Sequence, residues 1–66
     1  MNVIINGTTR QVADGISLRD AVGLVTAAAA GVAAAVNDEV VRRAAWDSTV
    51  LADGDQIEIL TAVQGG

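Results

Sequence analysis

The 66-residue chain contains no cysteine, histidine, lysine, proline, tyrosine or phenylalanine, and its one aromatic residue is Trp46. Each absence removes chemistry. Without thiols and imidazoles there is no disulfide framework, no soft-metal site and no cysteine- or histidine-centred nucleophile or base. Without lysine there is no amine for Schiff-base catalysis. Four arginines against eight carboxylates leave a net charge of -4, which disfavours a nucleic-acid backbone as partner. No apolar run is long enough to span a bilayer, and no basic-then-apolar leader opens the sequence, so a cytoplasmic location is expected. The side chains that remain are poor material for catalysis, and a non-enzyme is expected.

What is present describes one small domain. A chain of this length buries only roughly 60% of the surface it exposes when unfolded, so its core has to be efficient. Hydrophobic residues make up 52% of the composition, much of it alanine, so packing rests on a few aliphatic side chains.

The opening "MNVIIN" is β-branched and bounded by Asn6-Gly7, a strong hairpin signal, with a second strand expected over Thr9–Ala13. From Ser17 the period changes. Leu18, Ala21, Val22 and Val25 fall on one helical face, with Ser17 as N-cap and Asp20 in the first turn. The following "TAAAAG" either extends this helix to a cap at Gly31 or forms a loop. Strand patterning returns in "VAAAVN", with Val32, Ala34 and Val36 on one face and Ala33 and Ala35 on the other. Asn37-Asp38 turns the chain into "EVVRR". A long turn-rich connection follows, expected to be anchored by Trp46 and Leu51. In the last strand, "QIEILTAV", Ile57 and Ile59 alternate with Glu58 and Leu60. One amphipathic helix over a sheet of flanking strands is the economical arrangement. With the apolar first and last strands central, it is an α+β β-grasp: a mixed sheet of four to five strands with one main helix on one face. Val3, Ile5, Leu18, Val22, Val25, Ile57 and Ile59 are its expected core. Residues 1–63 form the domain and residues 64–66 a flexible tail.

On the sheet face away from the helix this pattern leaves Ile4, Leu60 and Ala62, with Ala33 and Ala35, as a candidate docking surface. Leu60 is expected to lie beside Ile4. Asp53, Asp55 and Glu58 cluster ahead of the tail; they offer charge to a basic partner, or form a solvated turn into the last strand.

The chain ends in "AVQGG". Gln64–Gly66 reaches roughly 10 Å at ~3.3 Å per residue, a length suited to insertion into a neighbouring active site. Paired glycines suit a narrow channel, since no Cβ crowds the walls or the terminal carbonyl. A terminal carboxylate, with a reference pKa of about 3.3–3.7, is ionised at neutral pH and is able to attack the α-phosphate of ATP. A frayed, idle end is the plainer alternative.

"VIINGTTRQV", "GVAAAVNDEVV", a tryptophan nine residues beyond Asn37, and "LADGDQIEILTAVQGG" together resemble the sulfur carrier proteins of thiamine biosynthesis, across nearly the whole chain. The most specific stretch is "GDQIEILTAVQGG". The resemblance implies a ubiquitin-like β-grasp fold and a Gly66 carboxyl that is adenylated by an ATP-dependent activating enzyme and converted to a thiocarboxylate. Sulfur then passes from it to thiazole synthase. It further implies a sulfur-donor protein as partner, Val63, Gln64 and Gly65 threaded into a partner's active site, and no cofactor on this chain, ATP being consumed by the partner. Asp38 departs from the family pattern, standing where glycine is frequent, and Arg42 stands where proline is common.

Three alternatives accompany this reading. A molybdopterin-type sulfur carrier also ends in Gly-Gly, on a longer chain without "AVQGG". A ubiquitin-like modifier would be joined through Gly66 to lysines of targets, although a chain without lysine cannot build lysine-linked polymers of itself. A passive β-grasp module would leave the glycines unused.

Overall fold

In the computed structural model, residues 1–27 and 31–61 are described. The first two strands, β1 (Asn2–Ile5) and β2 (Thr8–Gln11), form an antiparallel hairpin. Its two-residue turn places Asn6 at φ 50° and Gly7 at φ 82°, the left-handed pair that such a connection requires. The second strand begins one residue earlier than the sequence pattern indicates and is exposed along its whole length.

The helix α1 (Leu18–Val25) has its free N-terminal donors fully supplied. Asp20 N–H donates to the Ser17 hydroxyl at 3.1 Å. Leu18 N–H donates to the Thr49 carbonyl at 2.8 Å and Arg19 N–H to that of Trp46 at 3.4 Å. The long connection after the fourth strand therefore caps the helix as well as crossing it. At the other end Thr26 turns extended while its N–H still reaches Val22, so the helix stops there and Ala27 lies outside it. The remainder of the alanine run, residues 28–30, lies outside the described residues.

Strands β3 (Val32–Val36) and β4 (Glu39–Val41) make the second hairpin, and β5 (Gln56–Thr61) closes the sheet in the order β2-β1-β5-β3-β4. The last strand is central, parallel to β1 and antiparallel to β3. This is the β-grasp expected from the apolar first and last strands. A short 3-10 turn, Arg43–Ala45, opens the connection between β4 and β5.

The core comprises Val3 and Ile5 of β1, Leu18, Ala21 and Val22 of α1, Ala34 of β3, Ile57 and Ile59 of β5, and Trp46 and Leu51 from the connection. Six of the seven expected core residues are in it. Val25 is not, being 39% exposed at the last position of the helix. The connection is tied by backbone hydrogen bonds to the first turn of α1, at Leu18 and Arg19, whereas Val25 ends the helix just before the chain turns extended at Thr26. Trp46 satisfies its indole N–H on the Val41 carbonyl at 2.9 Å, so this large side chain is buried without stranding a donor.

Arg42 and Asp38, the two positions set apart in the sequence analysis, adopt backbone angles that proline and glycine would also accept. Arg42 sits at φ -65°, the value a proline ring imposes. Asn37 and Asp38 lie at φ 50° and 70° in a tight turn like that of Asn6-Gly7. The left-handed conformation costs an aspartate what it does not cost a glycine. Asp38→Gly is therefore expected to raise stability by about 0.5–1 kcal/mol, read as a rise in Tm of a few degrees in a thermal melt.

Candidate functional site

The site proposed from sequence lies at the exit of β5, and the structure describes what holds that strand. Its first turn is built by the acidic cluster. Asp55 N–H reaches back to the Ala52 carbonyl at 3.1 Å, and the turn places Gly54 at φ 85°. Asp53 Oδ1 accepts from Asn2 N–H at 2.7 Å, while Asp55 Oδ2 accepts from Ala52 N–H at 2.7 Å. Asp53 and Asp55 thus serve the turn into β5; Glu58 lies exposed on the open face.

Two hairpin asparagines then grip β5 from opposite sides. Asn37 N–H donates to the Gln56 carbonyl at 2.7 Å, and its Oδ1 accepts from Gln56 N–H at 3.0 Å. Asn37 Nδ2 also donates to Asp55 Oδ1 at 3.1 Å. On the β1 side, Asn6 N–H donates to the Ile57 carbonyl at 2.9 Å, the next bond of the parallel ladder. There the backbone of Asn6 turns away at positive φ. Its side chain continues the ladder instead: Oδ1 accepts from Ile59 N–H at 2.8 Å and Nδ2 donates to the Ile59 carbonyl at 3.1 Å. One amide thus replaces one carbonyl and one N–H of a strand that has ended. Sequence reading recognises Asn6-Gly7 as a turn; this second duty depends on a residue 53 positions away and has no local signal.

Among the proposed docking residues, Leu60 is 66% exposed and Ile4 is half-buried. They share the open face but are not neighbours. The parallel register pairs Ile4 with Gln56, four residues before Leu60, or roughly 13 Å along the strand. A strand's alternation fixes the face but not the register, which is why this adjacency fails. Leu60 stands instead beside Ala33 of β3, with Ala35 opposite Glu58 and Val40 opposite Ala35. Val40, 75% exposed, was not among the sequence candidates, since a three-residue strand gives no phase to read. The apolar part of the open face is therefore Leu60, Ala33, Ala35 and Val40. These residues, with Glu58 and Asp38, line a shallow depression of about 250 Å³. Ala62, Val63, Gln64, Gly65 and Gly66 lie outside the described residues.

No group of three or more potential metal ligands occurs among the described residues, and no described helix is long and apolar enough to cross a membrane.

Comparison with known proteins bears on the same stretch. The ThiS family model matches residues 3–66. The chain belongs to the ThiS family. The sulfur carrier protein ThiS of Escherichia coli (strain K12) is 30% identical over 66 residues, covering the whole of both chains. Crystal and solution structures of the thiamine biosynthesis protein ThiS from Geobacter metallireducens superpose with TM-scores of 0.83 and 0.82, at 35% and 33% identity. Both cover all of this chain; it covers 100% of the crystallised chain and 88% of the other. The ThiS match extends through the two terminal glycines, and the likeness in structure is that of the ubiquitin-like β-grasp.

Asn6→Gly keeps the turn's backbone freedom while removing the amide, stranding the N–H and carbonyl of Ile59. It is expected to cost about 1–3 kcal/mol in denaturant unfolding and to accelerate hydrogen exchange at Ile59 selectively. Leu60→Asp should leave Tm within a few degrees of the parent, because the carboxylate enters water and not the core. A melt showing global unfolding of that variant would place Leu60 inside.

Proposed function

We propose that this chain is a sulfur carrier of thiamine biosynthesis, a protein co-substrate that carries sulfur on its C-terminal carboxyl group. The observation that carries the reading is the ThiS match through Gly66 on a chain that has no cysteine to hold sulfur otherwise. In this reading the Gly66 carboxylate attacks the α-phosphate of ATP in an activating enzyme. Pyrophosphate leaves and an acyl-adenylate forms. A hydrosulfide equivalent released by a donor protein attacks the acyl carbon, AMP departs, and the terminal carboxylate has become a thiocarboxylate. Thiazole synthase takes the sulfur from it.

The chain's own contribution is positional. Gly65 and Gly66 present the reacting carboxyl without a Cβ, and Val63 and Gln64 lie in the partner's groove. Leu60 and its apolar neighbours Ala33, Ala35 and Val40 on the open face form the docking surface. No cofactor is held by the chain; ATP belongs to the activating enzyme. A reading as a protein modifier uses the same first step but ends in covalent adducts on other proteins, which intact-mass measurement distinguishes from exchange of one oxygen for sulfur.

The test is a loading reaction containing the chain, an activating enzyme, ATP and a sulfur source, read by C-terminal mass. Deleting Gly66 is expected to leave Tm nearly unchanged and to abolish loading, since the new carboxylate falls roughly 3.5 Å short of the phosphate. A bulky residue added after Gly66 should abolish it as well. Normal sulfur acquisition by both variants would end the carrier reading.

A further inference from the structure

A second groove lies on the opposite side of the sheet from the Leu60 surface. It runs between α1 and the 3-10 turn, has a volume of about 330 Å³, and is walled by Arg19, Gly23 and Thr26 on one side and Arg43 and Trp46 on the other. The proposed function uses none of these residues.

Charge is the first notable feature. An acidic chain places two of its four arginines on this one groove. The Arg43 guanidinium lies over the Trp46 ring at 5.7 Å from its centroid, which fixes its direction. Arg19 occupies the first turn of the helix, where the macrodipole disfavours a cation, so helix stability does not account for it. Its ion pair with Asp47, at 3.5 Å, joins two exposed side chains and is easily exchanged for a better-aligned carboxylate.

Gly23 is the second. It lies one helical turn from Arg19, inside an eight-residue helix, where glycine is disfavoured relative to alanine. A Cβ built at this position meets nothing within 4 Å, and its φ is not in the left-handed range. The isolated fold therefore has no need of a glycine here. What the missing side chain provides is room outside the molecule: another backbone approaches the helix at Gly23 while both guanidinium groups remain within reach of its side chains.

We infer that the Arg19–Arg43 groove binds an extended, acidic segment of a partner protein, its backbone over Gly23 and its carboxylates on the two arginines. A free phosphate is the weaker fit. The first N–H groups of α1, which would cradle it, are already spent on Ser17, Trp46 and Thr49. Paired guanidinium forks, by contrast, suit planar carboxylates on a peptide.

The test titrates the blocked tetrapeptide acetyl-Gly-Glu-Glu-Gly-amide into the isotope-labelled chain at low salt, followed by two-dimensional NMR. Saturable shifts are expected at Gly23, Arg43 and the Trp46 indole N–H, with a Kd on the order of millimolar for so short a probe. Gly-Gln-Gln-Gly should bind about tenfold more weakly, as should Glu peptide to Arg19→Gln or Arg43→Gln. Gly23→Gln should block the groove while melting at or above the parent temperature, which separates loss of binding from loss of fold. The inference is overturned by the absence of saturable shifts, by equal binding of the glutamine peptide, or by unaltered binding to Gly23→Gln. It is also overturned by shifts centred on Leu60 and Val40, by the same shifts with inorganic phosphate, or by shifts that depend on protein concentration alone, which would make the occupant a second copy.

Discussion

The sheet depends on how β5 is held between two neighbours that run in opposite directions relative to it. A parallel pair and an antiparallel pair share one strand, and both neighbouring chains turn away within a residue or two of the contact. The two asparagines at φ 50° resolve this. Each still donates its own backbone N–H to β5, and each adds a side-chain amide oxygen that accepts a further N–H of that strand. Asn37 secures the entry of β5 at Gln56 and Asn6 secures it near its end at Ile59. Because the left-handed conformation is tolerated by asparagine and the amide is both donor and acceptor, one residue type meets both demands. The last strand is thereby fixed near both ends of its described length.

Much of this fold was legible because its core is a simple alternation. Val3 and Ile5, and again Ile57 and Ile59, read as buried at period two, and Leu18, Ala21 and Val22 as one helical face. Trp46 and Leu51 were legible as anchors, being the large apolar residues of a polar connection. Features that depend on how distant segments meet were not. Register put Ile4 beside Gln56 and away from Leu60, and the helix ending at Val25 left that residue outside the core. The acidic run before β5 carried two readings in sequence; hydrogen bonds of 2.7 Å to Asn2 and Ala52 assign its first two members to turn construction.

The candidate site divides in the same way. The proposed chemistry rests on sequence alone, on the last five residues and on the absence of cysteine, which in that reading turns attention to the carboxyl end. The surroundings of the site are not legible there. Val40 joins the apolar face only through hairpin pairing, and Gly23 reads in sequence as an unremarkable helix position. Only with the opposing wall of Arg43 and Trp46 in place does the missing side chain acquire a setting.

The two edges of the sheet carry a consequence of their own. β2 has four residues, all exposed, and β4 has three. Short edge strands are one of the devices by which folds limit edge-to-edge aggregation, and both edges here are short. The same brevity leaves little main chain for recognition by sheet extension, in which a partner adds its own strand through a run of main-chain hydrogen bonds. A partner finds more to read on the faces and grooves of this fold than along its edges. Its selectivity then rests on side chains and shape, not on a backbone pattern that other exposed strands would offer equally well.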